Sequence, residues 1–313
     1  MSNIGQDAGH GKIRAQIHNN RVVFPVLSYT YPLKLLSPRM QQEGVAVVYM
    51  MTYGGGLVGG DSIFISIEIE QDARLVLLSQ GSTKVFKARP GGRAAVRAAP
   101  SSPNSPNVTT TTTTTTTQRL DVSIATGGAL FMLPDPVTCF RDAAYRQVQT
   151  FRLARGASAV LLDWYTSGRR ARGEEWAFTK YYSSNEVFVD GVRTARDVVL
   201  LDGGSAARGQ LLPRRALADR MGPYACYATV LLYGPVVQGL VRELEEEMWR
   251  ISVFQLREPL DLLWSLSGVH GEPDGRVVRV AGKETEAVKT WLAHALRGIV
   301  DVIGEEVYSK AFV

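Results

Sequence analysis

The most regular stretch of the chain is residues 62–70, where Ile63, Ile65, Ile67 and Ile69 alternate with Ser62, Ser66, Glu68 and Glu70. A period of two puts the isoleucines on one face of a half-buried strand. Runs of β-branched and aliphatic residues predict further strands at 74–79, 120–124, 157–165, 186–189 and 198–201. Gly and Pro separate these runs, and up to about Gly204 no helical pattern lies between them. Antiparallel layers are therefore expected rather than βαβ units.

The last third changes period. Val237, Leu240, Val241, Leu244, Met248 and Ile251 form one stripe within residues 235–251. Val288, Trp291, Leu292, Ala295, Ile299, Val302 and Ile303 form a second within 284–303. Both predict amphipathic helices that pack by default on the chain's own sheets, making 235–303 a helix-containing C-terminal part.

Two segments fall outside these patterns. Residues 1–20 begin polar and Gly-containing, without the apolar core of a secretory signal, and are expected to form a flexible tail. Residues 100–118 open as Pro-Ser-Ser-Pro-Asn-Ser-Pro and run into consecutive threonines from Thr109 to Thr117. Such a composition cannot bury enough apolar surface to offset its ordering entropy. A disordered surface-loop insert between two strands is expected, not a domain boundary.

Composition narrows the classes. Of 313 residues, 45% are hydrophobic and 21% charged, which excludes wholesale disorder and allows one large domain or two modest ones. No apolar stretch approaches the roughly 20 residues of a membrane-spanning helix, so a cytoplasmic protein without a membrane partner is expected. The net charge is only +5, and the densest basic run, Arg169-Arg170-Ala171-Arg172, is followed at once by Glu174-Glu175. A solvated turn fits that run better than a nucleic-acid contact. The two cysteines, Cys139 and Cys226, are far apart, which excludes a disulfide scaffold and a zinc ribbon.

Candidate chemistry is sparse. Gly54, Gly56 and Gly59 match G-x-G-x-x-G, but a strand follows where a dinucleotide site needs a helix N-terminus. The loop is either a bulged β-connection needing positive φ or a place where backbone approaches something closely, with Asp61 at its edge. The histidines show no ligand spacing, and no nucleophile elbow or P-loop occurs. Acids in strand-like surroundings stand out more. Asp163 interrupts Ala-Val-Leu-Leu-Asp-Trp-Tyr, Asp197 and Asp202 bracket a Val-Val-Leu-Leu run, and Glu174-Glu175 precede Trp176. Such carboxylates are either paired with arginines or line a hydrated passage.

Five segments, taken in order, resemble the UreD/UreH urease accessory proteins. They are Tyr31-Pro-Leu-Lys-Leu-Leu36, the glycine loop from Tyr53 to Asp61, and Leu78-Ser-Gln-Gly-Ser-Thr-Lys-Val-Phe86. Leu133-Pro-Asp-Pro136 with Phe140-Arg-Asp-Ala-Ala-Tyr145, and Gly168-Arg-Arg-Ala-Arg-Gly-Glu174 before Trp176, complete the set. Ser79 and Phe86 stand where the family often has Thr and Tyr, and beyond Gly204 the likeness is looser.

The resemblance implies a single domain over 1–313, mostly β, of stacked and partly helically wound β-sheets with a few α-helices in the C-terminal third. It implies a non-enzymatic maturation chaperone. Such a protein scaffolds apo-urease with an F-type accessory protein and, through that complex, a G-type GTPase, and helps deliver nickel to the urease active site. No tightly bound cofactor is implied, only nickel in transit. Asp61, Asp163, Glu175 and Asp197 are the expected acid lining, with Ser82 and Thr83 as neutral oxygen ligands. Carboxylate and water hold Ni²⁺ more weakly than imidazole and thiolate would, as transport requires. The competing expectation is an enzyme using Asp163 and Glu175 as a general acid/base pair.

Overall fold

The structure is a computed structural model that describes residues 8–39, 42–88, 115–203, 215–250 and 260–312. Strands β1 (His10–His18), β2 (Arg21–Tyr29), β3 (Leu33–Leu36) and β4 (Val45–Thr52) open the chain. The glycine loop leads into β5 (Ser62–Ile69), β6 (Arg74–Ser79) and β7 (Thr83–Val85). Next come β8 (Thr116–Ile124), β9 (Ala129–Leu133), β10 (Val137–Cys139), β11 (Ala144–Leu153) and β12 (Ser158–Thr166). Strands β13 (Lys180–Val189) and β14 (Val192–Asp202) precede helix α1 (Leu217–Met221), β15 (Cys226–Tyr233) and helix α2 (Gln238–Arg250). The hairpin β16 (Leu262–Val269) and β17 (Glu272–Gly282) is followed by α3 (Thr285–Ala295), α4 (Val300–Ile303) and α5 (Glu305–Tyr308).

Among the described residues, one sheet runs β14-β13-β11-β8-β5-β1-β2 and a second runs β16-β17-β15-β12-β9-β6-β4-β3, with β7 and β10 attached to the second. The expected antiparallel layers are present only at the sheet margins. In the centre β5, β8, β11 and β13 pair parallel, as do β4, β6, β9 and β12. The reason is a winding path. A parallel pair needs a long crossover, and here that crossover is a strand of the opposite sheet, not a helix. The fold is mostly β, with stacked, wound sheets and helices near the C-terminus.

Two cores result. Ile13, Ile65, Leu75, Leu130, Phe151 and Leu161 belong to the core between the sheets. Val47, Val76, Val160, Leu162 and Val230 point the other way, from the second sheet onto Leu240, Leu244, Val288 and Leu292 of α2 and α3. Val237, Leu240, Val241 and Leu244 of the first stripe and most of the second are thus spent on the chain's own sheet, while Ile251 lies outside the described residues. The expected helix 284–303 is broken after Ala295 by a 3-10 turn over Arg297–Ile299, where Gly298 lies close enough to α2 that an added Cβ would meet Glu243 Oε2 at 3.0 Å. No helix among the described residues is long and apolar enough to cross a membrane.

The N-terminal expectation is corrected. From His10 the chain is an interior strand between β2 and β5, with Ile13 and Ala15 fully buried, so a flexible tail over 1–20 is wrong. Its inward positions include two small residues, Gly11 and Ala15, which hide the alternation. At Gly11 an added Cβ would stand 2.5 Å from Leu33 Cδ2. The insert is also shorter than expected at its C-terminal end. Residues 89–114 lie outside the described residues, but Thr116 is fully buried on β8 and its hydroxyl donates to the Val58 carbonyl (3.2 Å).

Deleting residues 101–114 and rejoining the ends is expected to leave the melting temperature unchanged. Extending the deletion through Thr117 removes a buried strand residue and should cost about 2 kcal/mol or more. Thermal or urea unfolding of the two variants checks the contrast.

Candidate functional site

The polar residues of interest come from period-two alternation on strands of both sheets. On β11, Tyr145, Gln147 and Gln149 are buried while Arg146 and Arg152 are exposed. Neighbouring β13 buries Tyr181, Ser183 and Asn185, and Gln118 does the same from β8. Registry aligns them, since Gln147 lies between Gln118 and Ser183, and Gln149 lies between Leu120 and Asn185. Facing them from β12 of the other sheet is Asp163.

Asp163 lies half-buried between the sheets and is held by neutral donors. Its Oδ2 accepts from Ser183 Oγ (2.6 Å) and Asn185 Nδ2 (2.7 Å), and its Oδ1 accepts from Gln147 Nε2 (3.0 Å). Burial pushes its pKa up. The three donors pull part of the way back, and the Asp197 charge pushes up again. The relay continues outward, because the Tyr145 hydroxyl shares one proton between Oε1 of Gln147 (3.0 Å) and Oε1 of Gln118 (3.2 Å). Gln118 then lines a surface pocket of about 290 Å³ whose wall includes Thr52, Gly55, Gly81, Ser82 and Thr83. Polar side chains thus run from that pocket to Asp163 through an otherwise apolar core.

At the other side of Asp163, Asn185 stands opposite Asp197 on β14. Asp197 Oδ1 accepts from Arg279 Nη2 of β17 (3.0 Å), an ion pair that spans the two sheets. Asn185 Oδ1, Gln149 Oε1 and the Tyr181 hydroxyl are buried with no hydrogen-bond partner among the described residues.

The six residues singled out from sequence divide. Ser82 and Thr83 are together at the pocket, while Asp163 and Asp197 lie further along the same polar line. Asp61 is not on it. Its Oδ2 accepts from the Val58 N–H (2.8 Å), and its own N–H donates to the Val58 carbonyl (2.9 Å), so it closes the glycine loop. Glu175 is a surface residue paired with Arg170 (2.6 Å), which also holds Glu284. The buried acid of that loop is its neighbour Glu174, gripped by Arg169 through Nε (2.8 Å) and Nη2 (2.6 Å), which lowers its pKa. With Asp163 held between the sheets by Gln147, Ser183 and Asn185 and Glu175 paired with Arg170 on a surface loop, the two do not form an acid/base pair. Gln118, Gln147, Ser183, Asn185 and Arg279 went unnoticed in the sequence. Their signal is faint, a polar residue at alternate positions of runs that are polar in both phases.

Neither thiol joins the line. Cys139 and Cys226 are buried and form no disulfide, and burial pushes the Cys226 thiol up to about 12 and that of Cys139 further. No three His, Cys, Asp or Glu among the described residues come together as a metal cluster. The glycine loop needs its glycines for two reasons. Gly55 has φ +72° in open space, whereas an added Cβ at Gly56 would stand 2.6 Å from the Lys84 carbonyl oxygen of β7.

Two outcomes follow from this geometry. Gly55→Ala should cost about 1 kcal/mol from backbone strain. Gly56→Ala should cost more, because β7 must shift; denaturant unfolding ranks them. The second concerns pH. A carboxyl whose pKa is raised on folding binds more protons folded than unfolded, so its contribution falls as pH rises through the folded pKa. Asp163→Asn lacks this term. Its stability relative to the parent should therefore improve as pH rises from about 4, the ordinary aspartate value, until the folded carboxyl is ionised, and a flat difference in urea unfolding would contradict a raised pKa.

The family described as UreD urease accessory protein matches residues 7–310. Urease accessory protein 4 of Cryptococcus neoformans var. grubii is 37% identical, covering 97% of this chain and 94% of its own. Urease accessory protein D of Arabidopsis thaliana is 33% identical over 89% of this chain and 92% of its own. Urease accessory protein UreD of Sorangium cellulosum is 33% identical over 97% and 84%. The family match spans both sheets and the helical layer, and every strand that contributes to the polar line. The chain is an accessory protein, not an enzyme, and it belongs to the UreD family of urease accessory proteins.

Proposed function

We propose that the chain bridges apo-urease to an F-type accessory protein and, through it, to a G-type GTPase, and that it passes nickel along the interval between its sheets. One observation carries this reading. In a urease accessory protein, the core between the sheets is crossed by hydrogen-bonded polar side chains leading from an open pocket to a half-buried carboxylate between the sheets.

The donors along that line are hydroxyl, amide and carboxylate oxygens. Such a set holds Ni²⁺ loosely, exchanging ligands with its hydration water, where histidine or thiolate would retain it. Nickel is cargo here. Ser82 and Thr83 would meet the hydrated ion at the pocket, Asp163 would supply charge halfway, and Asp197 would meet it at the far side. A carboxylate inside a poorly hydrated interval offsets part of the cost of bringing a divalent ion there. Asp61 and Glu175 keep loops in shape beside this line. A cytoplasmic setting, among the other maturation proteins, goes with the reading.

The chain co-expressed with the F-type protein and apo-urease should elute with them as one complex. Asp163→Asn should still assemble, while urease activation at limiting nickel falls several-fold. Failure to co-elute at any of several salt concentrations would sink the scaffold, and full activation by the variant at limiting nickel would sink the conduit.

A further inference from the structure

The inter-sheet ion pair at the margin of the fold suggests how the line is closed. β14 is the edge strand of the first sheet, and β17 lies one strand in from the edge of the second. Their side chains Asp197 and Arg279 meet across the gap at 3.0 Å, with the aspartate side chain 15% exposed and the arginine 52%. Arg279 lies between Thr229 of β15 and Ser265 of β16, so its long stem leaves the sheet beside small hydroxyl side chains. The aspartate is thereby screened from solvent by a side chain that is itself half in solvent.

Behind the pair the chemistry is one-sided. Asn185, opposite Asp197, spends its Nδ2 on Asp163, which leaves its Oδ1 facing no donor. Gln149, the next residue across the sheet, also has a buried Oε1 with no partner. Both residues are at least nine-tenths buried. Buried acceptors without donors are uncommon, and each costs free energy unless something supplies positive charge or a proton. Two carboxylates and two unpartnered amide oxygens form an all-oxygen set, which suits a cation held together with water.

We propose that the Arg279–Asp197 ion pair is a gate: closed, the guanidinium supplies the positive charge at Asp197, and open, Asp197 hands a divalent cation to the amide oxygens of Asn185 and Gln149. The proposal rests on the conduit reading above and adds its regulation. A guanidinium suits the closed state, since it neutralises the carboxylate without being able to pass between the sheets. A partner carboxylate that draws Arg279 outward would open the gate, tying ion passage to assembly.

The test uses the full-length chain with Ni²⁺ alone as probe, loaded and then mixed rapidly with a chelator. An ion pair this exposed holds a side chain only modestly, so Arg279→Gln should release nickel about fivefold faster than the parent. Arg279→Lys should fall between them, since it keeps the charge but loses the planar fork. Arg279→Gln with Asp197→Asn should lose both the gain in rate and part of the bound nickel. Thermal unfolding confirms that each variant is folded. Equal release from parent and Arg279→Gln would make the pair a structural staple and overturn the gate alone. Fast release that survives Asp197→Asn would also overturn it. If neither parent nor Arg279→Gln takes up nickel, gate and conduit fall together.

Discussion

A carboxylate held half-buried between two β-sheets has to be solvated largely by protein atoms, and at Asp163 this requirement organises the interior. Gln147, Ser183 and Asn185 reach it from two adjacent strands of the facing sheet. Those groups need partners in turn. Gln147 turns its oxygen to Tyr145, whose hydroxyl also reaches Gln118, and the satisfaction of one buried group propagates until it meets solvent at the pocket. Removing any member leaves its neighbours short of a partner, so the members are energetically coupled rather than additive.

The winding path supplies the members at the right places. Each turn adds a strand to both sheets, so residues distant in sequence become neighbours in a row across the core. Period-two alternation makes the arrangement intolerant of slippage. A one-residue shift of β11 would turn Gln147 outward and bring Arg146 into the core. β12 is bound doubly, because Val160, Leu162 and Trp164 pack toward the helices while Leu161 and Tyr165 face the first sheet. The helical layer therefore fixes the strand that carries Asp163 without contributing to the polar line itself.

Legibility in the sequence followed the strength of local contrast. The isoleucines of β5 and the stripes of α2 and α3 announce their buried faces, and Asp163 stood out because it interrupts an aliphatic run. β1 was missed since Gly11 and Ala15 occupy inward positions too small to register as apolar. Parallel pairing could not be read, because alternation describes a strand's faces and not how its ends connect. Asp61 and Glu175 were placed on an ion path because an acid beside glycines or arginines looks the same whether it meets a ligand or closes a loop. In the structure each has a loop partner, the Val58 amide for Asp61 and Arg170 for Glu175. Gln147 and Ser183 had no contrast to offer, since both faces of their strands carry polar residues.

The burial of both cysteines has a practical side. A thiol reacts through its thiolate, and neither Cys139 nor Cys226 forms one at working pH or reaches solvent. The folded chain therefore presents no reactive thiol to alkylating reagents or to air oxidation. A single cysteine introduced on an exposed strand face would be the only labelling point, ready for a spin label or fluorophore without first removing the native pair.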